Sequence, residues 1–356
     1  MTVAPLVAQA ATGQAGDAGL ITALFSGATV CAELLMPSLL ARFAPRHLFG
    51  AALALLGAGS FGHLVGGARL ASLAGLAIVR GLGFGTAVVS ASVLVAELAP
   101  ASARGRAIGN LGLVIGLASL VSPAAGLVLL AALGPDWVFG IAGGLGMLGA
   151  LAIRVRRAGS VPGGASVRPV QAYRGLARPG LLVPFVGLAL VTTTYGGLVS
   201  FAPLALDPGG QGSAAAAFFL AYGAARAVMR WLGGRGSDRF GYRWVLVPGL
   251  ACMVGGLVLL PVSINQPLPV LLSAVLYGAG SGMAQSASFV GMLAHAEAAE
   301  VRLVSTLWNM AFDAGVSIGG AVLGLVAAGS GAVGVLRVLP VLGLSSLALF
   351  TFGWRR

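Results

Sequence analysis

The chain contains no lysine. Its 21 basic residues are all arginine, set against only 9 acids and 3 histidines. Charged residues make up 8% of the 356 positions, where an ordinary soluble domain carries about 25%. That scarcity excludes a normal water-facing surface. Cysteine is nearly absent too. Cys31 and Cys252 both fall in apolar runs, so free buried thiols are expected and a disulfide framework is not. His47, His63 and His295 are scattered without metal-ligand spacing. No Ser-His-Asp set or carboxylate pair is readable. The sequence therefore predicts no enzyme, no cofactor and no metal site.

What is present is apolar. Hydrophobic residues reach 58% and mean hydropathy is +0.98. A helix needs about 20 apolar residues to cross roughly 30 Å of hydrocarbon, and such runs fill the chain. Period-two alternation, the mark of a membrane barrel, is not seen. Backbone groups in lipid must be satisfied internally, so the expected class is an all-α polytopic membrane protein. Eleven spans are expected, over about 18–40, 48–66, 70–97, 107–132, 137–155, 180–206, 213–232, 244–263, 268–293, 303–328 and 332–352, with ends good to about 2–4 residues. The segment 156–179, rich in Arg, Pro and Gly, reads as a cytoplasmic linker. It separates an N-terminal bundle (1–155) from a C-terminal bundle (180–356).

A net charge of +12 raises nucleic acid as a partner. The placement of the arginines argues against it. Arg42, Arg46, Arg104, Arg106, Arg154, Arg156, Arg157, Arg235, Arg239, Arg243, Arg302, Arg355 and Arg356 lie in or beside alternate loops, as the positive-inside rule requires of cytoplasmic ones. The expected partners are the bilayer and a small molecule, and the expected state is a monomer. The all-arginine, glycine-rich composition points to a bacterium, hence its inner membrane, with the C-terminus in the cytoplasm. Eleven spans then put the N-terminus outside. Met1 to Ala11 is too short to span and lacks the basic start of a secretory signal.

The chain also repeats itself. An ungapped shift of 197 residues lays Arg42-Phe43 on Arg239-Phe240 and Arg46 on Arg243. The same shift lays Gly81, Gly83 and Gly85 on Gly278, Gly280 and Gly282. Repeated halves around a linker are a known transporter plan.

The segment Gly234-Arg235-Gly236-Ser237-Asp238-Arg239-Phe240-Gly241-Tyr242-Arg243 is a charged island between apolar runs. It resembles the signature loop G-x-x-x-D-R-x-G-R-R of the major facilitator superfamily of secondary transporters, with Tyr242 replacing one basic position. Arg80-Gly81-Leu82-Gly83-Phe84-Gly85 is similar to that family's arginine-plus-glycine motif on its fourth helix. Glu97-Leu98-Ala99-Pro100 with Arg104-Gly105-Arg106 resembles the loop that follows it. Gly112, Gly116 and Ser122-Pro123-Ala124-Ala125-Gly126 resemble the fifth-helix motif of antiporters, with Ser122 replacing a glycine. The resemblance covers essentially the whole chain and implies two six-helix bundles. The first span then corresponds to the family's second helix. The first helix is missing apart from the Met1–Ala11 remnant, and a start codon placed too late is the expected reason. The resemblance also implies that Gly234, Asp238, Arg239, Gly241 and Arg243, with Arg42, Arg46 and Glu97, help close the cytoplasmic side. The first copy of the loop has Ala41 where the second has Asp238. Read from the residues alone, the glycines of the second copy permit a tight turn, and Asp238 can accept charge-assisted bonds. A purely topogenic loop is the plainer alternative.

Ionisable groups inside spans are expensive and are functional candidates by default. Arg80 lies roughly 15 Å into its span at 1.5 Å per residue, too deep to snorkel. Asp313 is similarly deep, with Asn309 one turn before it. Glu33 precedes Pro37 by one turn and serves either as a partner for an arginine or as a proton carrier. Arg80, Asp313, Glu33 and Asn309 are the expected substrate or ion-coupling residues. Arg226, one turn from Arg230, is expected to snorkel to the inner face. Tyr195, Gln285 and Trp308 are amphipathic and suited to line a cavity. Gly81, Gly83, Gly85, Pro123 and Gly126 are expected to serve helix packing, and the Gly81–Gly85 run, being inside a span, is no phosphate loop. The expected function is secondary transport by alternating access, in the mode of proton-coupled efflux of an amphipathic compound. A non-transporting sensor or pseudo-transporter is the second reading.

Overall fold

A computed structural model of the chain describes residues 2–67, 69–98, 104–155, 178–207, 213–296 and 301–353. Among them there is no strand. In chain order the helices are α1 (Val3–Thr12), α2 (Ala15–Arg42), α3 (Pro45–Gly66), α4 (Leu70–Leu98), α5 (Arg104–Leu133), α6 (Pro135–Val155), α7 (Pro179–Leu206), α8 (Ser213–Phe240), α9 (Tyr242–Val262) and α10 (Pro267–Ala294). A last helical run, Val301–Ala348, is broken at Gly331, whose φ of 69° is left-handed. The break divides the run into α11 (301–330) and α12 (332–348), and a π-helical turn, Leu349–Gly353, follows. The expected linker lies outside the described residues but for its last two.

Local chemistry sets these boundaries. Helices α3, α6, α7 and α10 begin at a proline, where the missing N–H costs nothing. Asp207 caps α8, accepting bonds from the backbone N–H of Ala214 (3.3 Å) and Ala215 (2.7 Å). A carboxylate suits that end of the helix dipole.

Eight described helices are long and apolar enough to cross a membrane, with Leu307–Gly353 counted once although it holds two of the expected spans. The expected span 213–232 is not among them. Arg226 and Arg230 interrupt its apolar stretch, and Arg235, Asp238 and Arg239 follow within the same helix. Of the expected span 107–132, only Val121–Leu133 enters as a shorter apolar helix.

Two expectations need correction. The charged island is not a turn over its whole length, because α8 stays helical through Phe240. The turn is confined to Gly241, at φ 90°. Gly233 and Gly236 pack as helical residues, the first against Ser286 and Met283 and the second against Val245. Close packing thus overrides glycine's low helix propensity. The cysteines are free, as expected, but Cys31 is exposed at the protein surface and Cys252 is half-buried. Apolar sequence context marks a lipid-facing position as readily as a core position.

Glycine contacts build the packing, and they repeat. On α4, Gly81 and Gly85 lie against the backbone at Phe25 and Thr29 of α2, and Gly83 lies against Ala52 of α3. On α10, Gly278 and Gly282 lie against Tyr222 and Arg226 of α8, and Gly280 lies against Gly249 of α9. Each contact in the second set is the first set shifted by 197 residues. The sequence repeat is therefore a structural repeat, down to the residue that each glycine touches. Gly126 approaches Val3 of α1, and Pro123 sits half-buried inside α5.

The first six helices meet the last six along α2–α11 and α5–α8. The α2–α11 seam is floored by Gly16, Gly19, Gly320 and Gly324, which oppose one another backbone to backbone. Small residues of this kind let helices approach closely.

Candidate functional site

Three polar groups occupy the apolar interior. The first lies on the α2–α11 seam. Ser317 Oγ donates to the carbonyl of Ala23 at 2.9 Å, and Thr22 and Ser200 share a 2.6 Å hydroxyl bond from α2 to α7. Glu33 and Asp313 face each other on the same seam. Glu33 is 1% exposed and Asp313 7%. Apart from Asp313, no described group bonds either oxygen of Glu33. Two buried carboxylates in opposition repel strongly, and a proton on either one removes the repulsion.

The second group surrounds Arg80 on α4. Its guanidinium sits 6.0 Å from the Phe25 ring and 5.7 Å from the Phe139 ring. Phe139 stacks on His63 at 3.9 Å, and His63 lies beside Arg80. Nε of Arg80 and both ring nitrogens of His63 lack hydrogen-bond partners among the described residues. Ala4, Pro5, Ile21, Thr22, Phe25 and Ala77 enclose a small cavity with Arg80. Its volume is about 10 Å³. The Arg80 stem runs past Gly59, where an added Cβ would meet its Cγ at 2.7 Å.

The third group is the largest. Tyr222, Arg226 and Arg230 follow at four-residue spacing on one face of α8. Arg226 donates to Oε1 of Gln285 at 2.8 Å. Its guanidinium lies 5.6 Å from Tyr195, 5.8 Å from Tyr222 and 5.6 Å from Phe312, measured to each ring centre. Arg230 lies 5.4 Å from the Trp308 ring and is itself exposed. Cation–π contacts of this kind are worth about 0.5–2 kcal/mol each, most when desolvated. Tyr277 is tied to Thr194 at 3.0 Å, and Trp308 donates to Ser288 at 3.3 Å.

Matches to known proteins agree with this architecture. The family model of the Major Facilitator Superfamily matches residues 1–320. The chain belongs to the Major Facilitator Superfamily. An uncharacterized MFS-type transporter of Mycobacterium tuberculosis, Rv1250, is 35% identical over 112 residues. That match takes in 30% of this chain and 18% of the relative, so the chain spans only a small part of that protein. A variant of the nucleoside transporter NupG superposes with a TM-score of 0.81 at 10% identity, over 99% of this chain and 95% of the other. A bacterial homolog of the human lysosomal transporter Spinster, in an inward-facing and unoccupied conformation, gives 0.72 at 16% identity, over 99% and 90%. At such identities these structures show the fold, and the fold is that of the superfamily.

Within this superfamily fold, the expected coupling residues divide. Glu33 and Asp313 come together, while Arg80 stands apart with its rings. Phe25 and Glu33 are two turns, or about 12 Å, apart along α2. Asn309 is half-buried one turn before Asp313. Of the expected cytoplasmic set, Asp238 is exposed and pairs with no described residue, and Arg239 leans over Phe240 at 5.2 Å. Arg42 is exposed, and Arg46 and Arg243 make contacts of their own. Gly234 is helical. The side chains of Glu97, Arg104 and Arg106, with Gly112 and Gly116, lie outside the described residues.

Arg226 departs from expectation. It does not snorkel, because Gln285 and three rings hold its head where it is. Sequence reasoning named Tyr195, Gln285 and Trp308 separately and missed that they converge on two arginines. The repeat held the signal. Shifted by 197 residues, Thr29 and Glu33 become Arg226 and Arg230, and Arg80 becomes Tyr277.

Proposed function

We propose that this membrane protein is a secondary transporter. In this reading, residues 1–155 and 180–356 form two bundles that rock about the interior polar groups, in proton-coupled efflux of a small amphipathic compound. The Glu33–Asp313 pair carries the reading, because it bridges the seam where the bundles would part. With the seam closed the two carboxyls stand together, and a proton shared between them would remove their repulsion. With the seam open each would meet water. Movement of the bundles and proton occupancy are then linked by one repulsion. Arg80 serves as a fixed charge for substrate or coupling. The segment 234–243, with Arg42, Arg46 and Glu97, closes the inner side. Arginine placement supports a multi-pass position in a bacterial inner membrane with the C-terminus in the cytoplasm.

The test is transport in proteoliposomes under an imposed pH gradient, with a broad panel of amphipathic solutes. Gradient-driven movement of at least one solute is expected. Glu33→Gln should abolish the response to the gradient while exchange of labelled solute continues. A panel without any transport would favour a non-transporting member. Gradient-driven transport unchanged in Glu33→Gln would remove the pair from coupling.

A further inference from the structure

We propose that the cluster on α7, α8, α10 and α11 recognises an organic anion with a flat aromatic body. This rests on the transporter reading and names its substrate class. Arg80 and Arg226 are half-buried in the interior and Arg230 is exposed at its edge, and none of the three forms an ion pair with a described residue. The interior carboxyls are engaged elsewhere, Glu33 and Asp313 facing each other. The interior therefore carries positive charge that the described residues do not neutralise. Burying unpaired charge is costly, and such a cost is retained where a ligand supplies the counter-charge.

The placement of the two α8 cations sharpens the point. Arg226 and Arg230 stand one turn apart on one face, where like charges repel. A carboxylate, sulfonate or phosphate between them would accept bonds from both guanidinium groups and end that repulsion. Gln285 accepts from one nitrogen of the planar Arg226 fork. The hydroxyl of Tyr222, on a side chain 3% exposed, lies beside Arg226 and Ser281.

The rings supply the rest. Tyr222, Tyr195, Phe312, Trp308 and Phe289 run in sequence, with centroid steps of 5.6, 6.1, 6.2 and 5.8 Å. This is a continuous row of ring contacts alongside the cations. It matches a flat apolar body, with the ligand's charge at the arginine end. Arg230 stands exposed at the edge of this row.

Binding is tested without transport, on the full chain purified in detergent. Calorimetric titration would compare naphthoate, naphthalenesulfonate and naphthyl phosphate with neutral naphthamide and cationic naphthylmethylamine. At least one anion is expected to bind about ten-fold or more tighter than either control, the scale of one charge-assisted bond. Arg230→Gln, at an exposed position, should erase that preference of the anion over naphthamide. Arg226→Lys should weaken the anion less than Arg226→Gln. Binding of the amine or amide as tight as every anion would overturn the proposal, as would an Arg230→Gln protein with its anion preference intact. Anion binding without any transport would instead sink the transporter reading and leave this one standing.

Discussion

Arg80 is a charge surrounded by carbon. It has two aromatic faces within 6.0 Å and no hydrogen bond or ion pair to a described residue. Its removal deletes cation–π contacts worth about 0.5–2 kcal/mol and also relieves the cost of burying an unpaired charge. The two effects oppose, so Arg80→Ala should change stability by less than about 2 kcal/mol while abolishing transport. Thermal melting of the purified protein beside flux in proteoliposomes checks both halves. Full flux in the variant would take Arg80 out of the mechanism. The residue scale is also where the sequence was most and least legible. Arg80, Glu33 and Asp313 stood out because a charge is conspicuous in an apolar span. Their partners did not, since Glu33 meets a residue on α11, far along the chain. Arg226 was legible as a charge but misread in direction. Snorkelling is decided by what surrounds the head group, and no residue next to Arg226 in sequence supplies Gln285, Tyr195 or Phe312.

At the scale of the helix, glycine decides which elements touch. Gly19 and Gly320 oppose each other so closely that a side chain on either would strike the other's backbone. Gly320→Val should cost about 1–3 kcal/mol by overpacking and lower the melting temperature. Gly329→Ala, where an added Cβ meets nothing within 4 Å, is the matched control and should melt as the parent does. Equal melting of the two variants would mean that the seam tolerates expansion. The sequence showed the apolar runs and their ends, because lipid demands length and proline and glycine punctuate it. It hid the end of α8, since Gly234 and Gly236 look like turn residues to propensity alone. Packing of Gly233 and Gly236 against α9 and α10 holds that last turn helical. The expected tight turn survives only at Gly241.

The whole molecule is a repeat whose contacts match and whose charges do not. Gly81 and Gly85 find α2 as Gly278 and Gly282 find α8, yet Glu33 is answered by Arg230. If the two bundles rock, the α2–α11 seam opens on every cycle. An added Cβ at Gly27 would lie 3.2 Å from Ser317 Oγ, close enough for a disulfide between the two positions. With Cys31 and Cys252 replaced, oxidised Gly27→Cys/Ser317→Cys protein should show no transport, and a reductant should restore it. Undiminished flux through the cross-linked form would exclude parting of the seam.

The glycine floor of that seam has a further effect on the barrier to motion. Where interlocked side chains separate, each must change rotamer before the next can leave, and the passage is rugged. Along Gly16, Gly19, Gly320 and Gly324 the nearest approaches are backbone to backbone. If the bundles part there, the backbone ridges would lose their dispersion contacts together while carbonyl oxygens gain access to water. The barrier would then follow how readily solvent wets a strip of peptide.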